Sequence, residues 1–180
     1  PRLLARVAQA RDAASRALGE AAWGNAQFVA ERTRIEQSLA AGRVEAALAA
    51  AQRLHARALA AGEAAYAEAD YDLAMACLVV GRTLRRAGNA GAALSPLAEA
   101  QRRFTAVEAR RPGGSAARMA AVCITEQADC LADLGRLDEA AQAYEQAIAL
   151  AEQEHAERDV AVGKGQLGTV RLRQRRFPEA

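Results

Sequence analysis

The chain has 180 residues, 52% of them apolar and 26% charged, with a formal charge of +2; this is the composition of one folded unit and excludes disorder as the main state. Fifty alanines stand against ten valines and three isoleucines, so the chain is read as all-α, because Ala is the strongest helix former and β-branched residues favour strands. The charge splits into +3 over residues 1–90 and −1 over residues 91–180, which leaves no basic face, and a nucleic-acid partner is not expected.

The longest run without Asp, Glu, Lys or Arg is Ala87 to Ala98, twelve residues, where a bilayer span needs about 20. No membrane partner is expected. The amino end, Pro-Arg-Leu-Leu-Ala-Arg, is read as lacking the apolar core of a secretory signal. Cys77, Cys123 and Cys130 are odd in number and without close paired spacing, which suits buried, reduced thiols in a cytoplasmic protein better than a disulfide framework.

Apolar periodicity predicts helices over residues 2–18, 26–41, 44–61, 64–87, 92–108, 115–134, 138–155 and 158–175. Arg110-Arg111-Pro112-Gly113-Gly114 is the one emphatic loop between them, and its two arginines are expected to be solvated. Pro96 is tolerated near a first turn, which places the onset of its helix at Gly91 or Ala92; an earlier start predicts a kink.

The chain repeats itself. Gly42, Gly88 and Gly135 are each followed five residues later by an aligned alanine, Ala47, Ala93 and Ala140, and Ala180 ends a fourth such stretch without the Gly. The alanines lie 46, 47 and 40 residues apart. Each Gly follows one helical apolar face and precedes another, so it is the left-handed residue that ends one helix and turns into the next, and the unit is a helix hairpin. Around Gly88 the faces are Cys77, Val80, Gly81 and Leu84, then Ala93, Leu97 and Ala100; around Gly135 they are Ile124, Ala128 and Leu131, then Ala140, Tyr144 and Ala147. Gly81, Ala93, Ala100, Ala128, Ala140 and Ala147 are expected at close helix contacts.

These slots resemble the tetratricopeptide repeat in a long-period variety of about 40–47 residues. Cys77 stands where Trp is usual, Gln127 occupies a Leu slot, and Glu31 and Arg34 occupy two apolar slots of a degenerate first copy. The resemblance implies antiparallel helix hairpins stacked in a right-handed α-solenoid, one array over residues 1–180. Its parts are an N-terminal helix and loop (1–25), the degenerate repeat (26–61), two repeats (64–108 and 115–155) and a truncated one (158–180). Because the last hairpin stops as its second helix begins, the sequence is read as part of a longer protein.

No catalytic apparatus is visible. Gly163-Lys164-Gly165-Gln166-Leu167-Gly168 spells the dinucleotide pattern, but that fingerprint needs a preceding strand and a later acidic residue; the repeat register makes Gly168 a packing glycine instead. His55 and His155 lack partners at zinc-ligand spacing and are read as surface or boundary residues. Cys123 and Cys130, two turns apart on one helix, are out of disulfide reach. Trp23, the single Trp, is read as a lid on the first hairpin. No enzyme activity, cofactor or metal is expected.

What remains is a surface. The resemblance implies that the first helix of each hairpin lines a concave groove for a peptide or protein partner, or for another domain of the same chain. It places Met75, Leu78, Arg82, Arg85 and Arg86 in that groove, with Thr125, Asp129 and Asp133 on the next repeat and Thr169 and Arg173 on the last. Arg82 with Asp129 and Arg86 with Asp133 are the pairs expected if these charges neutralise one another, and recognition of a partner is the other use open to them. The implied function is a non-catalytic interaction scaffold. The alternative is the sensor or autoinhibitory arm of a larger signalling ATPase, transcription regulator or defence protein.

Overall fold

The computed structural model describes residues 23–176; the predicted helix 2–18 and the truncated hairpin turn at 177–180 fall outside them. Seven helices make up the described residues, with no strand among them: α1 (Asn25–Ala40), α2 (Val44–Ala61), α3 (Ala69–Arg86), α4 (Ala90–Arg110), α5 (Ala116–Asp133), α6 (Leu137–Gln153) and α7 (Glu157–Arg176). Each helix packs on the next, and the short turns make neighbours run antiparallel. In addition α1 touches α3, α3 touches α5 and α5 touches α7, whereas α2 and α4, or α4 and α6, do not meet. The odd-numbered helices therefore converge on one side of the stack and the even-numbered ones spread on the other.

The turns follow from local rules. At the end of α3, Gly88 has φ 77°; its N–H donates to the Arg85 carbonyl at 2.9 Å and the Asn89 N–H to the Leu84 carbonyl at 3.0 Å. This crossed pair of bonds satisfies carbonyls that a helix end leaves orphaned, and it needs a left-handed residue. Gly42 and Gly135 close α1 and α5 with the same bonds. So does His155 at φ 52° between α6 and α7, which gives this histidine a structural place that its sequence context did not suggest.

Two helix starts depart from the sequence reading. α3 begins at Ala69 instead of 64, because Gly62 takes φ 84° and the Tyr66 hydroxyl donates to Asp72 at 2.8 Å, holding residues 62–68 as a turn. α4 begins at Ala90, capped by the Asn89 side chain accepting from the Ala92 N–H at 3.3 Å. Pro96 therefore lies inside the helix, past the first turn where its missing N–H would be free of consequence.

Small residues set how closely the helices approach. Ala93, Ala100, Ala128 and Ala140 are fully buried and Ala147 nearly so. A Cβ built on Gly81 would stand 2.5 Å from Leu97 Cγ, so α3 and α4 touch at a distance that only glycine permits. At the carboxyl end the corresponding contact is made by Gly163, whose Cβ would meet Ile148 Cγ1 at 2.8 Å, while Gly168 is exposed with nothing near it. This corrects the register expected for α7. Large side chains fill the remaining space: Leu73, Leu78, Leu97 and Phe104 are buried in the α3–α4 core, with the Tyr71 ring edge-on to Phe104 at 5.1 Å.

Polar contacts then fix the loops. Asp70, 9% exposed at the start of α3, accepts from Arg111 at 2.6 Å and from Arg110 at 3.0 Å, and Arg111 also donates to the Ala67 carbonyl. The two arginines expected to be solvated thus clamp the α4–α5 loop to the α3 end. Burial pushes the Asp70 carboxyl up, but the hydrogen bonds from Arg111 and the Tyr71 N–H and the two positive charges outweigh it and hold it below the usual range. Gln127, in its Leu slot, donates to Gln101 at 2.9 Å and so joins α5 to α4 through a polar pair.

Candidate functional site

On the side where the odd-numbered helices converge, two neighbouring cavities open to the surface. One, of about 430 Å³, is lined by Glu36, Leu39 and Ala40 of α1, Arg82 and Arg86 of α3, and Glu126 of α5. The other, of about 320 Å³, runs from α3 across α5 to α7. They share Arg82 and Glu126, whose ion pair (Nε to Oε1, 2.6 Å) is the partition between them. Beyond it the second cavity has an apolar floor of Met119 and Val122 on α5 and Val162 on α7, the last 49% exposed. Its far wall is a second ion pair: Arg118 of α5 holds Asp159 of α7 through two nitrogens, at 2.6 and 3.3 Å.

The charges beside these cavities form one network. Arg85 reaches Asp129 at 2.8 Å, Asp133 at 2.9 Å and Glu126 at 3.6 Å, three carboxylates on successive turns of α5. Burial would lower the Arg85 pKa; Asp129, Asp133 and Glu126 reverse this and raise it. Asp129 also accepts from the Tyr144 hydroxyl, which ties the network back to α6. Burial pushes the Asp129 carboxyl above the usual range in spite of Tyr144 and Arg85. A partly exposed network of this kind contributes position more than stability.

The residues proposed for the groove do not all meet. Arg82, Thr125 and Asp129 line the second cavity, and Arg86 lines the first. Arg85 and Asp133 belong to the adjoining network. Leu78 is fully buried and Met75 is 7% exposed, so both are core and offer no surface. Thr169 lines a different cavity with Gly165, Gly168 and Leu172; its hydroxyl donates to the Gly165 carbonyl, and Arg173 is half-buried on the same helix. The pairing differs too. Arg82 takes Glu126 instead of Asp129, and Asp133 belongs to Arg85, not Arg86. Glu126, Arg118, Asp159 and Met119 were missed; the signal for the three charged residues was opposite charge at about one repeat's separation, 44 residues for Arg82 with Glu126 and 41 for Arg118 with Asp159, and Met119 carried none.

The other candidate groups do not line these two cavities. Residues 163–168 lie within α7, so the glycine pattern does not form a strand-to-helix turn. Burial pushes the Cys77 thiol up to about 11, Cys123 to about 12 and Cys130 to about 11, which keeps all three free thiols protonated and unreactive at neutral pH. Among the described residues no group of three or more His, Cys, Asp or Glu side chains could hold a metal ion, and no helix is long and apolar enough to cross a membrane. Compared with known protein families and with curated proteins, the chain matches none.

Proposed function

We propose that the chain is a tetratricopeptide-like array whose stacked hairpins form an α-solenoid, and that its odd-helix face is a groove binding an extended or helical peptide segment of a protein partner. The observation that carries this reading is the pair of adjoining cavities on that face, with an apolar floor between two interhelical ion pairs. Contact between alternate helices on one side only supports a curved stack with this face inside. An apolar anchor on Met119, Val122 and Val162 would give affinity, and the flanking charges would give orientation. In this reading the protein is a non-catalytic scaffold, and the buried free thiols support a reducing, cytoplasmic setting.

The test is selection of binders from a displayed random peptide library on the full chain, followed by titration against Val122→Arg. Selected peptides are expected to carry an aliphatic or aromatic anchor and to lose at least about tenfold in affinity on this substitution, while the melting temperature holds. Binders that bind Val122→Arg and Arg86→Glu as tightly as the unaltered chain would remove the groove from consideration.

A further inference from the structure

A third cavity, of about 300 Å³, lies away from the groove in the seam between α1 and α2. Its walls are Glu31, Arg34 and Ser38 of α1 and Arg53 and Arg57 of α2, over a floor that includes the buried Ile35. Glu31 and Arg34 are the two charged residues that break the apolar pattern of the first repeat. Aligned through Gly42, Gly88 and Gly135, the positions of Glu31, Arg34 and Ser38 are Cys77, Val80 and Leu84 in the second hairpin and Ile124, Gln127 and Leu131 in the third.

The reversal extends to α2. Arg57 aligns with Arg103, which the second hairpin neutralises with Glu99 one turn earlier, at 2.6 Å, and with Glu63, also at 2.6 Å. The position of Glu99 is held here by Arg53. Glu31 pairs with Arg57, and Arg34 and Arg53 make no ion pair with a carboxylate among the described residues. Three guanidinium groups thus face one carboxylate, an excess of two positive charges around one cavity. Arg57 is also held in place, its guanidinium 4.2 Å over the Trp23 ring.

We propose that the α1–α2 seam is an anion site for a phosphate monoester. The dianion matches the excess charge, the forked guanidinium groups of Arg34 and Arg53 suit paired phosphate oxygens, and the Ser38 hydroxyl adds a donor. At the aligned positions the second hairpin has Cys77, Val80 and Leu84 with an Arg103 that Glu99 and Glu63 neutralise, and the third has only apolar or neutral side chains, so three arginines here are no requirement of the fold.

Trp23 is the single tryptophan and stands against Arg57, so its fluorescence reports on the site. The full chain is titrated at constant ionic strength with inorganic phosphate, with phenyl phosphate and with a phosphoserine peptide, and with sulfate as the control anion. Saturable quenching or enhancement by at least one phosphate probe is expected, and the tightest of the three identifies the source as free phosphate, a small-molecule ester or a modified chain. Arg53→Glu, which copies the second hairpin's Glu99, and Arg34→Val, which copies its Val80, should each keep the fold and weaken binding at least about tenfold, the worth of one charge-assisted contact. Val122→Arg should leave it unchanged, which separates this site from the groove. No saturable response to any phosphate probe, an equal response to sulfate, or binding that survives both substitutions would overturn the proposal and leave a merely solvated seam.

Discussion

The hairpins α1–α2 and α3–α4 share a turn, a spacing and a chain direction, yet they solve the same packing problem in opposite ways. In the second hairpin Gly81 brings the helices together until Leu97 fills the space a Cβ would need. In the first, the aligned position is Ile35, itself buried to 2% exposure, so here the large side chain sits on α1 and α2 answers with the fully buried Ala47 and Ala51. In each hairpin one large side chain fills the interface, on α1 in the first and on α4 in the second. What the first hairpin cannot do is close its outer seam, because Glu31 and Arg34 carry charge where the second has Cys77 and Val80, and Arg53 adds a positive charge where the second has Glu99 to neutralise Arg103.

The sharpest way to break this comparison is to remove the filling residue from one hairpin and to add one to the other. Ile35→Ala should cost about 2–5 kcal/mol, since it leaves a cavity that a rigid interface closes only in part. Gly81→Leu should cost about 1–3 kcal/mol by overpacking α3 against α4. Denaturant unfolding of both variants measures the two, and an unchanged midpoint for Gly81→Leu would mean that α3 and α4 do not approach as closely as the Gly81–Leu97 contact requires.

The next effect separates two buried aspartates of α3 by the sign of their pH dependence. Asp70, held by Arg110 and Arg111, has a lowered pKa. Its contribution is therefore present above the unfolded-state pKa of about 3.9 and is lost as the pH falls through the lower folded value. Asp70→Asn should cost about 1–2 kcal/mol at neutral pH and nothing once the native carboxyl is protonated. Asp72 is 3% exposed and accepts from Tyr66 at 2.8 Å and Asn25 at 3.0 Å. Burial raises its pKa in spite of those bonds and the nearby Arg32. Its ionisation therefore opposes folding as the pH rises from the unfolded value through the folded one, and Asp72→Asn should cost less than Asp70→Asn at neutral pH. Melting curves between pH 3 and 8 decide the pair; an Asp72→Asn loss larger than that of Asp70→Asn would reverse the assignment.

The smallest effect compares turns. Gly88 adopts its positive φ without strain, whereas His155 adopts φ 52° with a side chain attached. His155→Gly should raise stability by up to about 1 kcal/mol, the left-handed penalty offset in part by the greater freedom of glycine in the unfolded chain. Lower stability of this variant would show that the His155 side chain contributes a contact of its own.

The sequence by itself determined the local features. Helices over most of the described chain, turns at Gly42, Gly88 and Gly135 and burial of the aligned alanines all follow from backbone preference and a period of 3.6 residues, which act within a few positions of each residue. Tertiary structure decided everything that depends on how two helices slide past each other. A shift of less than one turn of α5 against α3 gives Arg82 to Glu126 in place of Asp129. The burial of Leu78 removes it from the surface its slot suggested, and Asp70 pairs with two arginines that stay exposed yet tie the α4–α5 loop to α3. Residues 62–68 became a turn although Ala64, Ala65 and Ala67 favour helix, because Tyr66 reaches Asp72. Helix propensity is worth less than about 1 kcal/mol per residue, so a part-buried polar contact together with the left-handed Gly62 can override it. Contacts of that kind join residues in different helices or turns, and only the packed fold shows which of them meet.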